Sequence, residues 1–222
     1  ASAVMALEDS GLKLENADST RIGCVLGSGI GGMSDLEECH TTLMTKGPTR
    51  ISPFFVPKLM ANAGAAQVAL RLKISGPNFT TVSACASSNH AMGAALALIR
   101  TGSADVVFTG GSEAALTPLG VAGFACMGAL SKRNDEPEKA SRPFDRDRDG
   151  FVLGEGGAVF VFESLEYAIK RGAAKIYAEV LGFGQSDDAF HLTAPDEDGT
   201  GAMLAMKFAL EDGGVSPAQV NY

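Results

Sequence analysis

One ten-residue segment passes directly from a strand pattern into a helix: Phe79-Thr80-Thr81-Val82-Ser83-Ala84-Cys85-Ala86-Ser87-Ser88. Its first five residues include the β-branched and aromatic side chains that strands favour. A helix rich in alanine and glycine follows as far as Gly102. Cys85 falls at the start of that helix, where free backbone N–H groups and the helix dipole stabilise a thiolate. Its small neighbours leave room for a substrate, so Cys85 is a candidate nucleophile.

Two questions about Cys85 stay open at this level. A free cysteine is more often a buried structural residue than a nucleophile. A nucleophile also needs a base or an activating histidine, and spacing does not decide between His90, His191 and a residue elsewhere. His90 lies five residues along the helix, so we expect it to point away from the first turn and to pack. His191 lies in a polar loop, a better setting for function.

Strand and helix patterns alternate on both sides of this segment. Strands are predicted at 21–26, 79–83, 105–109, within 151–163 and at 176–181, and a last one begins at 219–222. Helices are predicted at 1–10, 34–45, 62–72, 166–171 and 201–212, whereas the prolines of 52–57 favour an extended segment. The alternation indicates the α/β class with a mostly parallel sheet. The continuous apolar run 105–109 is typical of a strand buried on both faces.

Composition narrows the function classes. The chain has 222 residues and a formal charge of -8, which argues against nucleic acid and acidic membrane surfaces as partners. Its four cysteines, Cys24, Cys39, Cys85 and Cys126, contain no CxxC and indicate reduced thiols in a reducing compartment. No apolar run approaches the roughly 20 residues that span a bilayer. Neither end reads as a natural terminus, so we expect a piece of a longer protein.

Two motifs resemble ligand-binding sites, but each lacks a residue that the site requires. Gly27, Gly29 and Gly32 match GxGxxG after a strand, but the acid that a dinucleotide site needs about twenty residues later is missing. We therefore expect a loop that passes close to another backbone. The aspartates of 145–149 resemble the start of an EF-hand loop, yet its twelfth position is Gly156 rather than glutamate. No metal or cofactor is expected.

The Cys85 neighbourhood, residues 81–90, resembles the active-site segment of elongating β-ketoacyl-acyl carrier protein synthases. The resemblance extends in order over all 222 residues. The other segments that carry it are Ser52–Pro57, Gly110–Ala114, Pro118–Phe124, Ala129–Asp135 and Ala140–Gly157. The presence of Cys85 argues against the chain-length-factor relatives, in which the nucleophile is replaced.

The resemblance implies a thiolase-like fold, in which two related α/β halves form αβαβα layers around a mostly parallel sheet in each half. Residues 1–172 would be the N-terminal half, with its own start missing, and residues 173–222 the beginning of the C-terminal half. Family members pair as homodimers, and the strand 105–109 resembles their dimer-interface strand.

The resemblance also implies an acyltransferase reaction of fatty-acid elongation. In the family, the cysteine takes an acyl group from acyl carrier protein, and two histidines assist decarboxylation of malonyl-acyl carrier protein. The resulting carbanion then attacks the acyl thioester. Because both histidines belong to a part of the family sequence beyond Tyr222, we expect the 222 residues alone to lack condensation activity.

Residue by residue, the resemblance assigns Cys85 as the acylated nucleophile, whose backbone N–H is one oxyanion donor. Ile30 and Phe124 match positions that line the acyl pocket. Thr193 matches a residue near the pantetheine arm, and Asp188 matches an acid close to the active site. No cofactor or metal ligand is among these matches.

The implied partner is an acyl carrier protein, and Arg50 is the expected contact for this acidic protein. The implied location is the bacterial cytoplasm or the stroma or matrix of an organelle. Two alternatives stay open. A non-catalytic protein could keep this fold for dimerisation or as a scaffold. A biosynthetic thiolase shares the fold but carries a different motif around its nucleophile.

Overall fold

A four-stranded mixed sheet forms the centre of the computed structural model, which describes all of residues 1–222. The strands are β1 (Ile22–Gly27), β2 (Asn78–Thr81), β3 (Val106–Glu113) and β4 (Gly156–Glu163). Their spatial order is β2-β1-β3-β4. The first three strands run parallel to one another, and β4 pairs antiparallel with β3. The predicted α/β class with a mostly parallel sheet is therefore confirmed.

Eight α-helices connect and cover these strands. They are α1 (Ser2–Ser10), α2 (Met33–Lys46), α3 (Phe55–Leu59), α4 (Ala63–Leu72), α5 (Ser87–Arg100), α6 (Pro118–Cys126), α7 (Leu165–Lys170) and α8 (Thr200–Gly213). Gly11 ends α1 with φ 63°, a left-handed conformation that glycine adopts without steric cost. None of these helices is long and apolar enough to cross a membrane.

Helices pack on both faces of the sheet and form two cores. Val25 of β1 and Val107 of β3 pack with alanines of α5 on one face. On the other face, Ile22, Cys24 and Phe108 pack with residues of α1 and α4. Because successive side chains of a strand point to opposite faces, β1 and β3 need apolar residues throughout their buried part, as the sequence indicated.

Three predicted segments differ from the structure. The prediction of an extended segment at 52–57 is wrong, because α3 begins at Phe55. Pro57 lies in the first turn of α3, where its missing N–H costs no helical hydrogen bond. Residues 176–181 form no strand, since no other strand pairs with them, and the chain that follows lies close to α8. Residues 217–219 form a 3₁₀ turn instead of a beginning strand.

The strand that resembled a dimer interface lies inside the sheet. Residues of β3 pair with β1 along one edge and with β4 along the other. Val106, Val107 and Phe108 are fully buried. Neither edge of β3 can therefore pair with a second molecule, and the edge left open near Cys85 belongs to β2.

The most buried ion pair joins Glu163, at the end of β4, to Arg171, just after α7. Arg171 donates from Nε and Nη2 to the two carboxylate oxygens of Glu163, both at 2.6 Å. Nη2 also donates to the Ser10 carbonyl oxygen at 3.0 Å, which ties the end of α1 to the pair. Only 12% of the Glu163 side chain and 15% of the Arg171 side chain are exposed.

Glu163→Ala is expected to lower the free energy of unfolding by about 2 kcal/mol, because the Arg171 guanidinium loses its counter-charge where water reaches it poorly. Urea denaturation measures the change. Lys58→Gln is the control, since it removes the exposed Lys58–Asp35 pair and should change stability little. Equal losses in both variants would contradict the dependence on burial.

Candidate active site

A short turn between β2 and α5 presents Cys85 on the surface. Residues Ala84–Ala86 form one 3₁₀ turn, and α5 begins directly after it at Ser87. Cys85 is exposed, whereas Cys24 in the core is fully buried. Burial raises the pKa of the Cys24 thiol to about 12, so this thiol stays protonated and unreactive at neutral pH. Exposure therefore favours Cys85 over Cys24 as a nucleophile.

The turn contains a strained residue immediately before Cys85. Ala84 has φ 51°, in the left-handed region that residues with a Cβ rarely occupy. Such a conformation costs about 1 kcal/mol and persists only when its surroundings impose it. It reverses the chain direction between the end of β2 and the start of α5, and Cys85 lies on that reversal.

Ser87 holds the strained turn through its hydroxyl group. Its Oγ donates to the Ala84 carbonyl oxygen at 2.7 Å and accepts the Ser83 N–H at 2.9 Å. The Thr81 hydroxyl donates to the Ser87 carbonyl oxygen at 2.7 Å. Ser87 is only 3% exposed, and its three hydrogen bonds are partly shielded from water. The end of β2 and the first turn of α5 are thereby joined around Cys85.

The two histidines considered as partners of Cys85 are both engaged elsewhere. His90 Nδ1 lies 2.6 Å from Ser83 Oγ, and the His90 ring packs edge-on against Phe183 with centroids 6.1 Å apart. Its packing role is confirmed, but the expectation that it points away from the turn is wrong. His191 Nδ1 accepts the backbone N–H groups of Thr193 and Ala194, both at 3.1 Å.

The glycine-rich loop after β1 lies against the Cys85 turn, which confirms the expected close backbone approach. Gly27 has no room for a Cβ, because the backbone of Ser87 and Ser88 occupies that space. A Cβ on Gly29 would lie 3.6 Å from Ala84 Cα. The Gly29 and Ile30 N–H groups donate to Glu113 Oε2, at 2.5 and 3.0 Å. The loop thus binds a carboxylate of its own chain.

Ile30 directly follows Gly29, at which an added Cβ would lie 3.6 Å from the Cα of Ala84, the residue before Cys85. Phe124 is half-buried on α6. Glu37 of α2 accepts the Leu119 N–H of α6 at 2.8 Å, which joins α6 to the helix that follows the loop. Both residues predicted to line the acyl pocket therefore belong to elements connected with the loop.

The other three predicted site residues are exposed, and none hydrogen-bonds to the Cys85 turn. Asp188 accepts the Asp196 N–H at 2.9 Å and lies against Gly201 at the start of α8. Thr193 donates its backbone N–H to His191 within the same loop. Arg50 ends a 3₁₀ turn after α2, and its guanidinium makes no ion pair. Their roles stay predictions.

Two residues of the site were missed as functional side chains. Glu113 is the last residue of one strand and Ser28 directly follows its neighbour, and the carboxyl ends of neighbouring parallel strands meet at one edge of a sheet. That placement was a usable signal. Ser87 was noted only as a variation in the motif, and nothing in the local pattern indicates that its hydroxyl bridges Ser83 and Ala84.

Comparison with known proteins shows consistent similarity over the whole chain. The family described as Beta-ketoacyl synthase, N-terminal domain, matches residues 1–168. The 3-oxoacyl-[acyl-carrier-protein] synthase 2 of Vibrio cholerae is 50% identical over 222 residues, which are 100% of this chain and 53% of that protein. The corresponding protein of Rhizobium meliloti is 52% identical over 224 residues, again 53% of its length. The chain spans about half the length of the curated relatives it matches.

Solved structures show the same similarity in three dimensions. A ketosynthase in complex with a type II PKS acyl-carrier protein and bound to a hexaketide superposes with a TM-score of 0.93 at 35% identity, over 99% of this chain and 55% of that one. A β-ketoacyl synthase from Burkholderia phymatum has a TM-score of 0.90 at 35% identity, over 100% and 53% of the two chains. The predicted thiolase-like fold is thereby confirmed.

Ser87→Ala is expected to lower the free energy of unfolding by about 2 kcal/mol, because the half-buried Ser83 N–H and the Ala84 carbonyl lose their shared partner. Urea denaturation measures this, and the rate of Cys85 alkylation by iodoacetamide reports the altered turn. Ser88→Ala is the matched control, since the Ser88 hydroxyl makes no hydrogen bond and its loss should leave both quantities nearly unchanged. Equal effects of the two substitutions would contradict the role of Ser87.

Proposed function

Because this chain belongs to the β-ketoacyl synthase family, we propose that it carries the nucleophile of a 3-oxoacyl-acyl carrier protein synthase that elongates fatty acyl chains. The observation that carries the proposal is the exposed Cys85 at the junction of β2 and α5, on a turn held by Ser87. A rigid, accessible thiol at a helix start is suited to forming a covalent acyl intermediate.

The proposed reaction has two stages at Cys85. The thiolate attacks the carbonyl carbon of an acyl thioester, and the pantetheine thiolate leaves with a proton, so that the acyl group becomes bonded to Sγ. The Cys85 backbone N–H stabilises the negative oxygen of the intermediate. Malonyl-acyl carrier protein then loses CO₂, and its carbanion attacks the acyl carbon and releases Cys85. The product is a 3-oxoacyl chain two carbons longer.

The proposal assigns the decarboxylation step to histidines outside residues 1–222. The histidines of residues 1–222 support this assignment, because none of them is placed to act at Cys85. His90 is bound to Ser83 and packs on Phe183, and His191 accepts two backbone N–H groups of its loop. His40 lies on α2 and belongs to no metal-ligating group. None of the three hydrogen-bonds to Cys85.

The substrate would extend from the surface to the acyl pocket. We assign Ile30 and Phe124 to the pocket, and Thr193 and Asp188 to the pantetheine arm. The two solved β-ketoacyl synthase structures support this by the close overlap of their chains with this one. We propose residues 1–172 as the N-terminal half and 173–222 as the beginning of the C-terminal half, which the match over residues 1–168 supports.

The proposed partner is an acyl carrier protein bearing the acyl or malonyl group. A structural neighbour was solved with the acyl-carrier protein bound to its ketosynthase, which supports the assignment. Because this chain has a net charge of -8 and carrier proteins are acidic, attraction must be local. The exposed Arg50, free of any ion pair, is suited to that contact. We propose a location in the bacterial cytoplasm or in an organelle stroma or matrix, and the bacterial relatives favour the first.

Incubation with an acyl thioester is expected to add one acyl mass at Cys85, which intact-mass spectrometry followed by peptide mapping detects. Cys85→Ala should abolish the adduct. Cys126→Ala should retain it, because Cys126 is a second exposed thiol outside the turn. Addition of malonyl-acyl carrier protein to residues 1–222 alone should give no 3-oxoacyl product. An adduct that persists in Cys85→Ala would refute the proposed function.

We also propose that the protein forms a homodimer through the open edge of β2. This edge is unpaired, and Phe79 on β2 is 40% exposed. Phe79→Glu is therefore expected to shift a dimeric elution volume to a monomeric one in size-exclusion chromatography. Phe144→Glu is the control, since Phe144 is 99% exposed and lies outside the sheet. A wild-type protein that elutes as a monomer, or a Phe79→Glu variant that stays dimeric, would contradict this interface.

A further inference from the structure

The Glu113 carboxylate organises the loop after β1. Glu113 is the last residue of β3 and is half-buried. Its Oε2 accepts the N–H groups of Gly29 and Ile30, at 2.5 and 3.0 Å, and its Oε1 lies 3.4 Å from the Ser28 hydroxyl. Ser28 Oγ in turn accepts the Gly31 N–H at 3.2 Å. Four consecutive residues are thereby connected to one carboxylate.

No Lys or Arg of the chain forms an ion pair with Glu113. Its charge is met by backbone N–H groups and one hydroxyl, and hydrogen bonds to a charged acceptor are stronger than those between neutral groups. The loop donors that a GxGxxG match would offer to a phosphate are thus already occupied by a side chain of the same protein. The carboxylate fixes the loop rather than leaving it open for an external anion.

The fixed loop also touches the turn of the nucleophile. A Cβ on Gly29 would lie 3.0 Å from Glu113 Oε2 and 3.6 Å from Ala84 Cα, so Gly29 is enclosed between the carboxylate and the turn. Ile30 follows directly, with 39% of its surface exposed. Its backbone is held by Glu113 through the hydrogen bond from its own N–H. Glu113 therefore fixes the position of the Ile30 backbone, from which the side chain projects.

We propose that Glu113 is a positioning residue that sets the acyl-chain selectivity of the Cys85 site by fixing the backbone of Ile30. The inference rests on the proposed function, which assigns Ile30 to the acyl pocket. An acetyl group ends close to Sγ, whereas a dodecanoyl chain must pass the residues that line the pocket. Loss of the Glu113 contact should therefore affect the long chain and spare the short one.

The experiment compares wild type with Glu113→Ala, Glu113→Asp and Glu113→Gln. Aspartate keeps the charge but is one methylene shorter, so it cannot reach both N–H groups. Glutamine keeps the length and one acceptor oxygen. Asp149→Ala is the matched control, because Asp149 likewise accepts a hydroxyl and a backbone N–H, from Ser131 and Lys132, but in a different loop.

Two measurements are made on each variant. Amide hydrogen exchange at residues 29 and 30 reports the hold on the loop without any substrate. Rates of Cys85 acylation by acetyl and dodecanoyl thioesters of N-acetylcysteamine, followed by intact mass, report selectivity.

Glu113→Ala is expected to accelerate amide exchange at residues 29 and 30 about tenfold, because each amide loses one hydrogen bond to a charged acceptor. It should slow dodecanoyl transfer about tenfold and change acetyl transfer less than about twofold. Glu113→Asp should act in the same direction by at least about threefold, and decides the test if the alanine variant does not fold. Glu113→Gln should keep the exchange rates and the dodecanoyl transfer rate close to their wild-type values. Asp149→Ala should change neither the exchange rates nor the transfer rates.

Unchanged exchange and unchanged selectivity in both Glu113→Ala and Glu113→Asp would overturn the inference. So would an equal change in Asp149→Ala, because the effect would then be general destabilisation. A wild-type protein that forms no adduct with either thioester would refute the proposed function and the selectivity that depends on it. Faster exchange with unchanged selectivity would overturn the inference while leaving the proposed function intact.

Discussion

The parallel pairing of β1 with both β2 and β3 is the constraint on which the site depends. In this register Gly27 lies opposite Thr81 of β2 and Gly111 of β3, so three strands end at one edge of the sheet. The chain leaving each strand therefore starts in the same small region. One strand leads to Cys85, one to the glycine-rich loop and one to Glu113. A shift of register would separate these groups, because each residue of slip moves a strand end by about 3.3 Å.

The strand pairing brings the loop after β1 close to the start of α5, where hydrogen bonds offset the strain at Ala84. The left-handed Ala84 costs about 1 kcal/mol, and the Ser87 hydroxyl offsets this with two partly buried hydrogen bonds worth about 1 kcal/mol each. The strained turn is thus stable only beside the start of α5. Gly27 completes the arrangement, since any Cβ there would overlap the backbone of Ser87 and Ser88. The Cys85 turn is held by packed backbone and short side chains rather than by long side chains, which leaves Cys85 exposed.

Three carboxylates of this acidic chain serve as hydrogen-bond acceptors that hold neighbouring loops or helix starts in place. Glu113 binds the loop after β1, Asp149 binds the loop at 131–133, and Glu37 binds the start of α6. The side-chain hydrogen bond from Ser131, followed by the backbone N–H of Lys132, holds the pKa of Asp149 below its usual value. Part of the net charge of -8 therefore lies on carboxylates that accept hydrogen bonds within the chain rather than on freely exposed groups.

All four strands, most of the helices and the position of Cys85 at a strand-to-helix junction follow from local pattern, because apolar periodicity and small residues act over a few neighbouring positions. The same locality explains the errors. The expectation for His90 considered only its own helix, and residues 176–181 have a strand composition but no strand beside them. Glu113 and Gly29 are 84 residues apart, and their contact exists only because β1 and β3 are neighbours in register. The sequence by itself determined most of the strands and helices and placed Cys85 at the junction of a strand and a helix. The tertiary structure decided which distant residues hold the Cys85 turn in place, since backbone donors reveal their acceptors only after the chain has folded.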